Sequence, residues 1–239
     1  METGKIDNVT FALRRSRRKS LGITIERDGS VVVRAPLDQS RDEIDAFVAK
    51  KRIWIQQKLS QKKALNREKP RREFVNGQGF LYLGRSYRLR LVENNRQPNP
   101  RKLQNSTAVS LKQGYFQLPE NEKKNARQHF VSWYTVKTEK KVRERIPRYD
   151  KRIGVQVEKL RVSDLGHQWA SYSRNGTISF NWRSVMAPIW VFDYILVHEL
   201  AHMVERPHSK NFWRIVARVI PDYKEQVRWL NENGANLDL

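Results

Sequence analysis

The stretch Pro188-Ile189-Trp190-Val191-Phe192-Asp193-Tyr194-Ile195-Leu196-Val197-His198-Glu199-Leu200-Ala201-His202, followed shortly by Pro207-His208-Ser209, decides how this chain is read. Pro188 suits the first turn of a helix, where its missing N–H is no loss, and the run behind it stays apolar to about Glu205. Pro207 stops that helix, because proline lacks the amide hydrogen and disfavours helical geometry at Arg206 before it. A second helix starts at Ser209 as N-cap and carries Phe212, Ile215, Val216, Val219 and Ile220 on one face as far as Pro221.

A helix advances about 100° per residue, so His198 and His202 stand about 40° apart, one turn above the other. Two imidazoles on one face can bind one metal ion. Glu199 projects from the next sector, near enough to reach a water at the metal without being forced into coordination, which is where a general base belongs. A catalytic zinc site needs a third protein ligand. His208 is the first candidate, since the break at Pro207 lets the chain turn back and gives the spacing H-E-x-x-H-x5-H. Glu205, at the end of the same helix, is the rival. The ordinary alternatives are a surface or capping role for His208 and a solvated helix-end carboxylate for Glu205. His198 and His202 as plain core histidines are disfavoured, because two ionisable rings and a carboxylate on an apolar helix are costly to bury without a metal or partners. His129, among basic residues, reads as a surface histidine. The expected cofactor is zinc, one per chain.

Outward from this stretch, the 239 residues contain no Cys, which excludes disulfide frameworks, thiolate nucleophiles and cysteine-ligated zinc or iron–sulfur sites. The formal net charge is +22. Residues 1–160 hold 38 basic and 17 acidic side chains, against 9 and 8 in residues 161–239, so the charge belongs almost wholly to the first two thirds. Its clusters are Arg14, Arg15, Arg17, Arg18 and Lys19; Lys62, Lys63, Arg67, Lys69, Arg71 and Arg72; and Lys137, Lys140, Lys141, Arg143 and Arg145. Such a field attracts polyanions or simply keeps a surface solvated, and no zinc-finger, ribonucleoprotein or basic-zipper signature accompanies it. The most apolar run, Val191 to Val197, is interrupted by Asp193, so no membrane partner is expected and the cytoplasm is the expected location.

The fold class is α+β. Residues 9–36 read as two or three antiparallel strands with a turn at Asp28-Gly29, followed by an amphipathic helix from the N-cap Ser40 to about Leu59. A charged linker over 61–73 leads to short strands at 80–83, 87–92 and 108–118, with breaks at Gly84, Asn94-Asn95 and Gly114 and a Pro98-Asn99-Pro100 loop. A long helix spans 121–147, and strands at 160–165 and 177–180 flank an Asn175-Gly176 turn. No internal repeat shows in the sequence. This divides the chain into a basic β-rich region, 1–118, and a metal-binding catalytic region, 119–239, as two parts or as one continuous domain. The strand from Thr177 to Phe180 is expected to offer an edge to an extended peptide.

Several motifs together resemble one family. They are Trp169-Ala170-Ser171-Tyr172, Thr177-Ile178-Ser179-Phe180-Asn181-Trp182, Pro188, Tyr194, the two-histidine helix and His208-Ser209-Lys210-Asn211-Phe212-Trp213, with Arg14-Arg15-Ser16-Arg17-Arg18, residues 31–36 and Lys51-Arg52-Ile53-Trp54-Ile55 nearer the start. They are similar to the YgjP-like metallopeptidases, relatives of the SprT-like zincins. The resemblance implies a zincin-like fold, a metal held by His198, His202 and His208, and Glu199 as catalytic base. It departs where members usually carry Trp-Gly-Ser-Cys and this chain has Trp169-Ala170-Ser171-Tyr172. By its chemistry alone, the Tyr172 phenol is a candidate donor to a developing oxyanion, with a packed aromatic as the plain alternative. The leading expectation is zinc-dependent hydrolysis of a polypeptide. The alternatives are a nucleotide substrate, as in relatives described as UTP pyrophosphatases, and a DNA-associated SprT-like protease that meets nucleic acid through its basic part.

Overall fold

Alternation lays down the first sheet: in β2 (Val9–Arg15) the residues Val9, Phe11 and Leu13 are buried while Thr10 and Arg14 are exposed. The computed structural model describes residues 2–26, 29–65, 72–93, 108–166, 168–173 and 175–239, the side chains of residue 57 and residues 60–65 excepted. They fall into two units, Met1–Pro70 and Arg71–Leu239. The architecture is α+β, with four-stranded sheets preceding the helices. No helix among the described residues is long and apolar enough to cross a membrane.

In the first unit, β2 is joined by β1 (Glu2–Ile6), β3 (Gly22–Ile25) and β4 (Val31–Ala35) in the order β1-β2-β4-β3. The flanking pairs are antiparallel, but β2 and β4 run parallel, with Phe11 opposite Val31. The expected meander of antiparallel strands is therefore a mixed sheet. In β4, which lies between β2 and β3, Val31, Val32 and Val33 are all buried. Ser40 caps α1 (Arg41–Lys50) in a reciprocal capping box with Glu43. The chain breaks at Lys51 before α2 (Arg52–Leu65), so the single expected helix is two. Ile44, Val48 and Ile55 enter the core, whereas Ile53 and Trp54 stay exposed. Arg15, from the first basic cluster, is spent on structure: it donates to the Gln39 carbonyl at 2.6 Å and pairs with Glu2. Asp28, Asn94-Asn95, Pro98-Asn99-Pro100, Arg67, Lys69 and Arg71 lie outside the described residues, as do the side chains of Lys62 and Lys63.

The second unit opens with the same topology. The strands β5 (Gly79–Tyr82), β6 (Arg85–Val92), β7 (Ser110–Lys112) and β8 (Tyr115–Pro119) lie in the order β5-β6-β8-β7, again with a parallel central pair. The β5–β6 turn has φ of 50° at Leu83 and 79° at Gly84, the conformation that matches strand twist in a two-residue hairpin. A 3-10 turn, Glu120–Asn125, starts the expected long helix, which as an α-helix is α3 (Ala126–Arg145). Phe130, Trp133 and Tyr134 of α3 pack into one cluster with Phe80, Leu89 and Phe116 of the sheet. Because these strands share a core with the helices after them, the division falls at residues 70 and 71 rather than at 118 and 119.

After the short α4 (Asp150–Ile153) comes a three-stranded sheet of β9 (Lys159–Ser163), β10 (Ala170–Tyr172) and β11 (Thr177–Asn181) in the order β10-β11-β9. β11 is thus the middle strand, and the edge expected of Thr177 to Phe180 belongs instead to β10. A 3-10 turn, Trp182–Met186, leads into α5 (Ile189–Val204), followed by α6 (Lys210–Val219) and α7 (Tyr223–Asn233). The β5–β6 turn docks on this entry: Leu83 N–H donates to Val185 O at 2.8 Å and Gly84 N–H to Met186 O at 3.0 Å. A Cβ on Gly84 would come within 2.9 Å of Pro188 Cα, so glycine is needed both for its φ and for this approach.

Candidate metal centre

Helix α5 is buried on nearly every side, from Val191 through Val197. Within it Asp193 is 8% exposed and accepts two hydrogen bonds from Arg145 of α3, one from Nε at 2.6 Å and one from Nη2. This pair ties the helix to its neighbour. Toward its C-terminal end α5 brings out His198, Glu199 and His202, and Glu205 adopts extended backbone that ends it. Ser209 Oγ then accepts from Phe212 N–H at 3.2 Å and caps α6, which brings His208 back onto the first two histidines.

The three imidazoles offer ligand atoms that all lie within 4.8 Å of one another, and His198 Nε2 is 3.0 Å from His208 Nε2. Nitrogens about 2.0–2.1 Å from one tetrahedral ion stand roughly 3.3 Å apart, so the spacing suits a shared cation. Two of the other ring nitrogens have partners: His198 Nδ1 faces the Tyr194 hydroxyl at 3.4 Å and His202 Nδ1 the Glu205 carbonyl at 3.3 Å. With Nδ1 carrying the hydrogen, each ring keeps its Nε2 lone pair for a metal. Burial, then the charges of His202 and His208, pushes His198 down to about 3. Burial also lowers His202 and His208, a shift toward the neutral rings that a metal needs. The set fits a divalent cation of borderline softness.

Beneath the histidines lies the ring of Phe212, its centroid 4.9, 4.4 and 4.8 Å from those of His198, His202 and His208. Trp213 stacks on His208 and on Tyr223. Glu199 is buried beside the cluster; desolvation pushes its carboxyl up to about 8, partly offset by a hydrogen bond from the Tyr172 backbone N–H. A cavity of about 410 Å³ opens over these groups. One wall is β10 with Gln168 and Ser173, and the other is His198, Glu199, His202, Arg206 and His208. Trp169 O accepts from Asn181 N–H and Ser173 N–H donates to Thr177 O. By antiparallel alternation, Ala170 and Tyr172 turn their main-chain groups away from β11, toward the open edge.

His198, His202 and His208 converge, with Glu199 and Tyr172 on the same cavity. Glu205 is not among them as a ligand: its carboxylate accepts from Asn211 Nδ2 at 3.1 Å, and it meets the site through its carbonyl. His129 pairs with Glu122 at 2.8 Å on α3, apart from the cluster. Sequence reading gave no role to Tyr194, although its place four residues before His198 puts it on the same face. It also gave none to Arg206.

The family described as YgjP-like, metallopeptidase domain, matches residues 19–233 of the chain. The crystal structure of the metallopeptidase zymogen of Pyrococcus abyssi abylysin is 31% identical, with 38% of this chain and 93% of that chain covered and a TM-score of 0.36. No curated protein matches. Since the family match takes in most of the first unit and the whole histidine cluster, the chain belongs to the YgjP-like metallopeptidase family.

Proposed function

We propose that the protein is a zinc-dependent peptidase in which His198, His202 and His208 hold the ion and Glu199 is the general base. The observation that carries this reading is the convergence of three imidazoles beside a buried carboxyl on an open cavity. Bound there, zinc supplies Lewis acidity toward a carbonyl oxygen and toward a water molecule. Glu199 takes the proton of the attacking water at a carboxylate oxygen and hands it to the leaving amine. Its place on the cavity beside the three histidines puts the carboxyl within reach of both halves of that transfer. The Tyr172 N–H holds the carboxylate in place, and the Tyr172 hydroxyl is the candidate donor to the developing oxyanion.

An extended peptide pairs with the outward groups of β10, chiefly those of Ala170, because the Tyr172 N–H is already given to Glu199. That places a scissile carbonyl between the strand and the histidines. The test is Glu199→Gln, assayed on an unfolded protein and on UTP beside elemental analysis. Peptide cleavage falling by at least about 100-fold with zinc content kept is the expected result. Cleavage that survives in the variant removes Glu199 from the mechanism, and wild-type turnover of UTP with no peptide cleaved overturns the peptidase reading.

A further inference from the structure

Arg206 is a cavity residue that neither the fold nor the proton transfer uses. It lies two residues past the end of α5, is exposed, and borders the same space as His202 and Tyr172. Three arginines of this unit that are engaged show the contrast: Arg145 with Asp193, Arg183 with Asp164 and Asp238, and Arg214 with Asn211. Among the described residues the Arg206 side chain has no ion pair, and its sequence neighbour Glu205 is turned to Asn211. Apart from Glu199, the remaining cavity side chains are serine, glutamine, alanine, tyrosine and imidazole. Glu199 is the one carboxyl among these lining residues, and it is held by the Tyr172 backbone N–H.

A guanidinium at the wall of a cleft focuses its field into that cleft, and its planar fork fits a carboxylate through two parallel hydrogen bonds. A bound cation would add to the same positive potential. We infer that Arg206 selects substrates that carry a carboxylate next to the bond to be cleaved, supplied by an acidic side chain or by the free end of a peptide. This rests on the peptidase reading and names its substrate class.

The test separates the two. Zinc-loaded Glu199→Gln protein, which does not consume the probe, is titrated with labelled octapeptides of alanine and glycine carrying one Glu at each position in turn. Each is compared with its Gln twin, and each is made with a free and an amidated C-terminus. At one or two adjacent positions the acidic peptide is expected to bind about tenfold or more tightly than its twin, as a charge-assisted bidentate contact provides. The ratio falls to near one when Arg206→Gln is added, and Arg206→Glu reverses it in favour of a Lys peptide. A preference carried by the free terminus alone makes the chain end the source of the carboxylate. Equal binding of all twins, no binding, or a preference that survives Arg206→Gln overturns the inference. Wild-type protein is incubated with the same peptides in parallel. Absence of cleavage alongside an Arg206-dependent preference strikes the peptidase reading alone, whereas cleavage without preference strikes the Arg206 assignment alone.

Discussion

Removing Asp193 should cost more than its single carboxylate suggests, because it strands a partner. Asp193→Leu deletes both hydrogen bonds to Arg145, a guanidinium only 15% exposed, and leaves that charge in the core. Breaking a buried pair from one side costs about 3–5 kcal/mol. The Tyr149 hydroxyl still accepts from Arg145 Nη2 at 3.3 Å, which places the expected loss near the lower end, about 3 kcal/mol. Adding Arg145→Met removes the stranded charge, and the double variant should return to within about 1 kcal/mol of wild type or exceed it. Urea unfolding followed by tryptophan emission reads this directly, since Trp54 is the one tryptophan outside the second unit. A loss below about 1 kcal/mol for Asp193→Leu, or single losses that simply add in the double variant, would refute a stranded charge at Arg145.

Gly84→Ala puts a Cβ against Pro188 at a residue with φ of 79°, and should destabilise the second unit by more than about 1 kcal/mol in the same unfolding assay; a neutral result would mean that the turn does not press on the start of α5. Ser209→Ala removes the cap of α6 at a cost of about 1 kcal/mol and, by loosening His208, should weaken zinc binding in competition with a chelator, while Ser209→Asp keeps both. In the first unit, hydrogen bonds from Ser40 and Gln39 hold the Glu43 carboxyl below its ordinary value. A lowered folded pKa gives stability that is present above the unfolded pKa and lost as pH falls through the folded one. Glu43→Gln should therefore flatten the acid limb of that unit's unfolding curve, and an unchanged limb would remove the capping box as its cause.

The metal centre was legible because each step is local: the 3.6-residue period stacks His198 on His202, proline at 207 ends the helix, and serine at 209 starts the next. Tyr172 was legible only as chemistry, since its place on the cavity depends on β10 pairing with β11 across a turn. Strand order escaped for the same reason. Nothing in Val9–Arg15 says that it pairs with Val31–Ala35 in parallel, because partner choice is set by which faces remain to be covered. Asp193 stood out only as an interruption of an apolar run, and its meaning lay 48 positions away in Arg145. Helix α7 gave too thin a signal, with Gln226 as its one fully buried side chain.

The sheet order shared by the two units has a kinetic side. Hairpins such as β1–β2 and β5–β6 close over two residues, whereas the central pairs bring together Phe11 with Val31 and Leu89 with Phe116. Closing the longer loop spends chain entropy before any ladder bond rewards it, so the parallel seams are expected to set the folding rate in each unit. That entropy grows only logarithmically. Doubling the connection between Val92 and Ser110 should slow refolding of the second unit yet cost only about 0.6 kcal/mol at equilibrium.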